Sequence, residues 1–186
     1  MKNNIIAILS LLFAFGVCNV NAQYDIDRGN WKLGYYENDF GEKDETDPFY
    51  QIKLKGKDSN YNPITLCIRI NMSEGFKIWI KNNQEGGIIS LGESTRISLR
   101  NNITKETKAL EIDERVDHTF CYIYNEDSMN YLLSSLKNGN FSIAIVIKNY
   151  LTGSKNYRVD VTNETLKIDL VVNDLVTLHN FYKSKK

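Results

Sequence analysis

The stretch ITLCIRINMSEGFKIWIK, residues 64–81, decides the fold class of this chain. Leu66, Ile68 and Ile70 alternate with Cys67, Arg69 and Asn71; after Met72-Ser73-Glu74-Gly75, the apolar Phe76, Ile78 and Ile80 alternate with Lys77, Trp79 and Lys81. A period of two sends alternate side chains to opposite faces, so both halves read as half-buried β-strands. The short link with its Gly closes them into a hairpin. One face is apolar throughout, and the other gathers Arg69, Lys77, Trp79 and Lys81 as a candidate binding surface.

The same alternation recurs on both sides of the hairpin. It predicts strands at 49–55, 95–100, 108–112, 119–124, 141–148 and 155–161. In 141–148 even the second face, Ser142, Ala144 and Val146, is mostly apolar, which suits a central strand covered on both sides. Short strands parted by Asn, Gly and Ser turns define a mainly β chain, an antiparallel β-sandwich or partly closed barrel. Two stretches break the rhythm. Met129, Leu132, Leu133 and Leu136, ahead of Lys137-Asn138-Gly139, predict a short helix at 128–137. Ile168, Val171, Val172, Leu175 and Val176 predict a C-terminal helix at 164–181, with Thr162 or Asn163 as N-cap and a strand at 166–172 as the alternative.

Residues 1–22 read as a signal peptide rather than as fold. Lys2 supplies the positive end, 5–17 is an apolar run too short to span a bilayer, and Val20-Asn21-Ala22 offers a cleavage site near Ala22. Phe15-Gly16-Val17 ahead of Cys18 lacks the Leu-led pattern of a lipidation signal, so cleavage takes Cys18 away with the leader. Removing 22 residues from 186 leaves 164, one β-rich domain over 23–186, secreted or periplasmic, with no further membrane span. The whole chain carries 23 basic and 23 acidic residues, a balance with no global signal for nucleic acid or an anionic membrane. Cys67 and Cys121 remain; in an oxidising compartment they read either as one disulfide or as two buried thiols.

The run Trp31 to Glu42, a Trp-led strand followed by Asp39-Phe40-Gly41-Glu42, resembles the N-terminal signature of a group of small secreted bacterial proteins of uncharacterised function. Residues 132–139, then 141–147 and 157–161, are similar to that group's closing order of helix, Gly, strand, strand and helix. The resemblance implies a compact β-rich fold and no catalytic residues to carry over. The plain loop at 57–63 shows nothing of the pattern. Four Asn-x-Ser/Thr sequons, at Asn71, Asn102, Asn140 and Asn163, are not read as glycosylation sites in a chain with this bacterial Asn, Lys and Ile bias.

The chemical inventory is thin. His118 and His179 belong to no zinc pattern, no Gly-flanked nucleophilic Ser occurs, and both cysteines sit inside apolar strands. Glu37, Asp39, Asp44 and Asp47, in an acidic loop at 37–47, are candidate calcium ligands without EF-hand spacing, and otherwise a solvated, self-repelling loop. Trp79 with Lys77, Lys81 and Arg69 suits either contact with a partner or a second layer of core. The reading is a secreted, non-enzymatic domain with no cofactor that binds a protein or glycan outside the cytoplasm. Its alternatives are a secreted inhibitor or immunity-type protein meeting its partner through the acidic loop, and a carboxylate-dependent hydrolase.

Overall fold

The structure is a computed structural model that describes residues 29–37, 40–91, 94–114, 119–149 and 153–184. The leader at 1–22, with Cys18 and Ala22, lies outside the described residues, as do Asp39 and His118. The strands are β1 (Lys32–Glu37), β2 (Lys43–Asp58), β3 (Pro63–Asn71), β4 (Gly75–Asn82), β5 (Thr95–Asn101), β6 (Thr107–Leu110), β7 (Asp113–Glu114), β8 (Cys121–Ile123), β9 (Phe141–Asn149) and β10 (Gly153–Val161). The helices are α1 (Glu126–Asn138) and α2 (Ile168–Lys183).

The predicted hairpin is β3–β4, in the register Leu66↔Ile80, Ile68↔Ile78, Ile70↔Phe76 and Asn71↔Gly75. Its turn follows from three residues. Gly75 takes a positive φ of 73°, Asn71 Oδ1 accepts the Glu74 amide at 2.8 Å, and Glu74 Oε2 accepts the Tyr36 hydroxyl at 2.8 Å. From this hairpin the antiparallel sheet extends both ways in the order β6-β5-β9-β10-β2-β3-β4-β8-β7, with β1 on β2. The strands at the two ends, β6 and β7, are separated in sequence only by Glu111 and Ile112. A flat sheet cannot satisfy so short a link, so the sheet curls into a partly closed barrel.

The inner face carries Tyr50, Ile52, Leu54, Leu66, Ile68, Ile70, Phe76, Ile78 and Ile80, continued by Ile97, Leu99, Phe141, Ile143 and Ile145. Each such side chain contributes about 1.5–3 kcal/mol over its exposed state. β9 is central, between β5 and β10, but its outer face is only half-buried at Ala144 and Val146 and exposed at Lys148. The double cover expected for it is therefore confined to its inner side.

α1 starts two residues before its predicted position, because Asn125 Oδ1 caps the Ser128 amide at 3.0 Å; it ends as predicted on Gly139 at φ 62°. α2 is a helix, not a strand, at 168–172, and it begins four residues later than its pattern suggested. Residues 162–167 form a strap instead. Asn163 and Lys167 have positive φ (52° and 49°), Leu166 is buried, and its carbonyl accepts the Trp31 indole N–H at 2.6 Å. Helical geometry from 164 would break that anchor. Beyond the strap, α2 lays Ile168, Val171, Val172 and Leu175 on the core and packs on β2, where the Tyr50 hydroxyl donates to Asp174.

The acidic stretch is not a loop throughout. β1 and β2 pair at Tyr36↔Asp44 and Glu37↔Lys43, so residues 43–47 are strand. Strand pairing absorbs the acids because Lys43 stands opposite Glu37 and because Asp44 turns onto its own chain, accepting the Thr46 amide at 2.9 Å.

Candidate functional site

The four residues expected to form a binding surface do share the outer face of the sheet. Arg69↔Lys77 and Cys67↔Trp79 are cross-strand pairs, with Lys81 two residues beyond Trp79. The Arg69 guanidinium stacks 3.8 Å from the Phe49 ring centre and 5.3 Å from those of Trp79 and Tyr36, while Lys77 lies 3.8 Å from the Phe120 ring. Phe120 meets Trp79 edge-on at 5.6 Å, leaving Trp79 4% exposed. The exposed Trp79 platform is thus corrected: the indole belongs to a second, outer layer of packing, under a half-buried Arg69 whose Nε is buried without a hydrogen-bond partner and beside the half-buried Lys77 and Lys81.

The possible disulfide is also corrected. Cys121 pairs with Ile78 and therefore points inward with Ile68, whereas Cys67 pairs with Trp79 and points outward; the two lie two strands apart on opposite faces. Neighbouring strands are about 4.8 Å apart, which puts the pair beyond bridging distance. Both remain buried thiols, and burial pushes the Cys67 thiol up.

Of the calcium candidates, Glu37, Asp44 and Asp47 are described and Asp39 is not. Asp47 Oδ2 accepts the Ser73 hydroxyl at 2.6 Å and the Asn71 amide at 3.2 Å, so it clamps the β3–β4 turn. Burial, followed by repulsion from Glu74 and Asp44, raises the Asp47 carboxyl above its ordinary value. Burial and Glu74 likewise raise the Tyr36 phenol. His179 on α2 is half-buried, and a charge on its ring would favour ionised Asp47. Among the described residues, no three His, Cys, Asp or Glu side chains group as a metal site.

A concavity lies elsewhere, at the end of the sheet where β2 turns into β3. A cleft of about 450 Å³ opens between the 58–62 turn, the 82–89 loop and the start of β10. Its walls are built by side chains folding back on their own backbone. Asp58 Oδ1 accepts the Asn60 and Asn62 amides at 2.8 and 2.9 Å, and Asn82 Oδ1 accepts the Gln84 amide at 2.9 Å. Gln84 Nε2 joins the two loops by donating to Asn62 Oδ1 at 3.3 Å. Hydrogen bonds led by that from the Asn62 side chain hold the Asp58 carboxyl below its usual range; burial, helped by Asp58, raises the Tyr157 phenol.

The lining combines amide, carboxylate and hydroxyl groups with a small apolar patch, Ile64, Ile88 and Ile89. Among the described residues, the Asn60 side-chain amide and the Lys155 ammonium have no hydrogen-bond partner. Between Asn60 and Asn62, Tyr61 is 76% exposed at a positive φ of 65°, with Lys57 Nζ 4.6 Å from its ring centre. Sequence reasoning treated 57–63 as a plain turn. The clustered Asx residues at 58–62 and 82–83 were its only signal, and they report turns whether or not the turns face each other.

The fold and site together define a mainly antiparallel β domain with a polar cleft at one end. The chain matches no family model and no curated protein. It is similar to the crystal structure of invasion associated protein B from Bartonella henselae, at a TM-score of 0.45 and 11% sequence identity over 82% of this chain and 96% of that one. Among the described residues, no helix is long and apolar enough to cross a membrane.

Proposed function

We propose that this chain is an exported, non-enzymatic binding domain whose partner outside the cytoplasm is a glycan taken into the cleft at 58–62, 82–89 and 155–157. The composition of that cleft supports the reading. Vicinal hydroxyls are matched by paired amide and carboxylate groups, while the apolar ring face of a sugar suits Ile64, Ile88 and the exposed Tyr61 between the lining residues Asn60 and Asn62. The reading calls for no cofactor. Titration calorimetry of the full chain against a panel of neutral and acidic oligosaccharides tests it, with Asn60→Ala and Tyr61→Ala as variants. Each substitution is expected to weaken binding about tenfold, the loss of one hydrogen-bonding or stacking group, without moving the melting temperature. Absence of binding across the panel, or unchanged affinity in both variants, would count against it.

A further inference from the structure

The outer face of the sheet carries a second surface, and its charge is one-sided. Pairing register puts Lys53, Lys55 and Lys57 of β2 on this face, all exposed, beside Thr65, Cys67 and Arg69 of β3 and then Lys77 and Lys81 of β4. Over 53–57, 65–69 and 77–81 no outward position is acidic; beyond them the same face carries Asp47, which continues the β2 row past Phe49, and Asp113, opposite Tyr122. Arg158 of β10 adjoins Lys57 and is ion-paired to Asp160 at 2.9 Å. A chain of balanced overall charge thus presents a local excess of cations on this part of the sheet. Same-face neighbours stand about 6.8 Å apart along a strand and about 4.8 Å across strands, so the ammonium groups form a grid matched to a polymer with a charge on each unit.

We infer that this face binds an anionic glycan, a polysaccharide bearing carboxylate or sulfate groups that runs across β2–β4 toward the cleft. The inference deepens the cleft reading by naming the charge of the same ligand, and rests on it. Continuity supports it: Lys57 stands over Tyr61, which sits between the lining residues Asn60 and Asn62, and Lys81 directly precedes Asn82 in the cleft wall. Single-stranded nucleic acid fits less well, because the rings of this face lie under Arg69 and Lys77 and leave no open platform for base stacking. An anionic bilayer fits less well too, since the large exposed hydrophobics, Phe40, Tyr61, Ile103 and Phe181 among them, all lie outside these rows.

The test measures the full chain against fluorescent polygalacturonate over a salt series, with neutral dextran, oligothymidylate and phosphatidylglycerol vesicles in parallel. Wild type is expected to bind polygalacturonate most tightly. The variant Lys53→Gln/Lys55→Gln/Lys57→Gln, whose side chains are exposed and of similar length, should lose at least tenfold, and its logarithmic salt slope should flatten by about 2. Unchanged affinity in that variant overturns the inference, as does tighter binding of oligothymidylate or of vesicles. Asn60→Ala separates the two readings. If the triple variant loses polygalacturonate and Asn60→Ala changes nothing, the face stands and the cleft reading falls; if only oligosaccharide binding in the cleft is found, the reverse holds.

Discussion

Gly139→Ala is the sharpest perturbation of the architecture. Gly139 closes α1 in the left-handed region, and a Cβ there would lie 1.7 Å from the Glu164 carbonyl oxygen and 2.8 Å from its carbon. Gly86 and Gly41 share the backbone conformation (φ 72° and 77°) but have nothing within 4 Å, so they serve as controls for conformation alone. An L-residue in that region costs about 1–2 kcal/mol, of which stiffening of the unfolded chain returns about 0.4–1. At Gly139 the 162–167 strap must also move, which endangers the Glu164 N–H bond to the Gly139 carbonyl, the Trp31–Leu166 bond and the burial of Leu166. Two hydrogen bonds at about 1 kcal/mol each and one Leu at about 2 put the further loss near 4 kcal/mol. At about 2–4 °C per kcal/mol for a domain of this size, scanning calorimetry should find Gly139→Ala melting about 10 °C or more below wild type. Gly41→Ala and Gly86→Ala should fall by no more than a few degrees. A Gly139→Ala variant that melts with the controls refutes the packing of the strap on α1.

Three further outcomes follow from single contacts. Trp79→Ala removes a covered indole rather than an exposed anchor, so thermal melts should show a loss of about 3–5 kcal/mol; an unchanged melting temperature returns Trp79 to the surface. Reductant should leave the melting temperature unchanged, because Cys67 and Cys121 point to opposite faces; a large drop means they are bridged. Asp47 has a raised carboxyl, so the native state binds its proton more readily than the unfolded chain and stability falls as pH rises from the ordinary carboxylate value through the raised one. Asp47→Asn should therefore gain on wild type as pH rises from the ordinary carboxylate value through the raised one in a pH series of melts; a constant difference removes Asp47 from the pH dependence.

The β architecture was legible because alternation is a local signal: Leu66 to Ile70 and Phe76 to Ile80 announce their inner face with no knowledge of what they pack against. The start of α2 was not, since helical spacing at 164–167 is overridden by a hydrogen bond to Trp31, 135 residues away. Trp79 was read on the correct face, but its cover, Phe120, comes from a distant segment that alternation does not place. The cleft was missed because it exists only once two turns and the start of β10 converge. The basic face was hidden by the neutral total: charge counts are blind to register, and only strand pairing shows Lys53, Lys55 and Lys57 beside Arg69 and Lys81.

The measurement that bears most directly on the central claim is an amide chemical-shift titration of the isotope-labelled chain with the tightest oligosaccharide from the panel. Shifts are expected at 58–62, 82–89 and 155–157, spreading onto residues 53–57 and 77–81 when the sugar is acidic. Shifts confined to the 43–47 strand and its partner β1, or absent everywhere at saturating sugar, would contradict it.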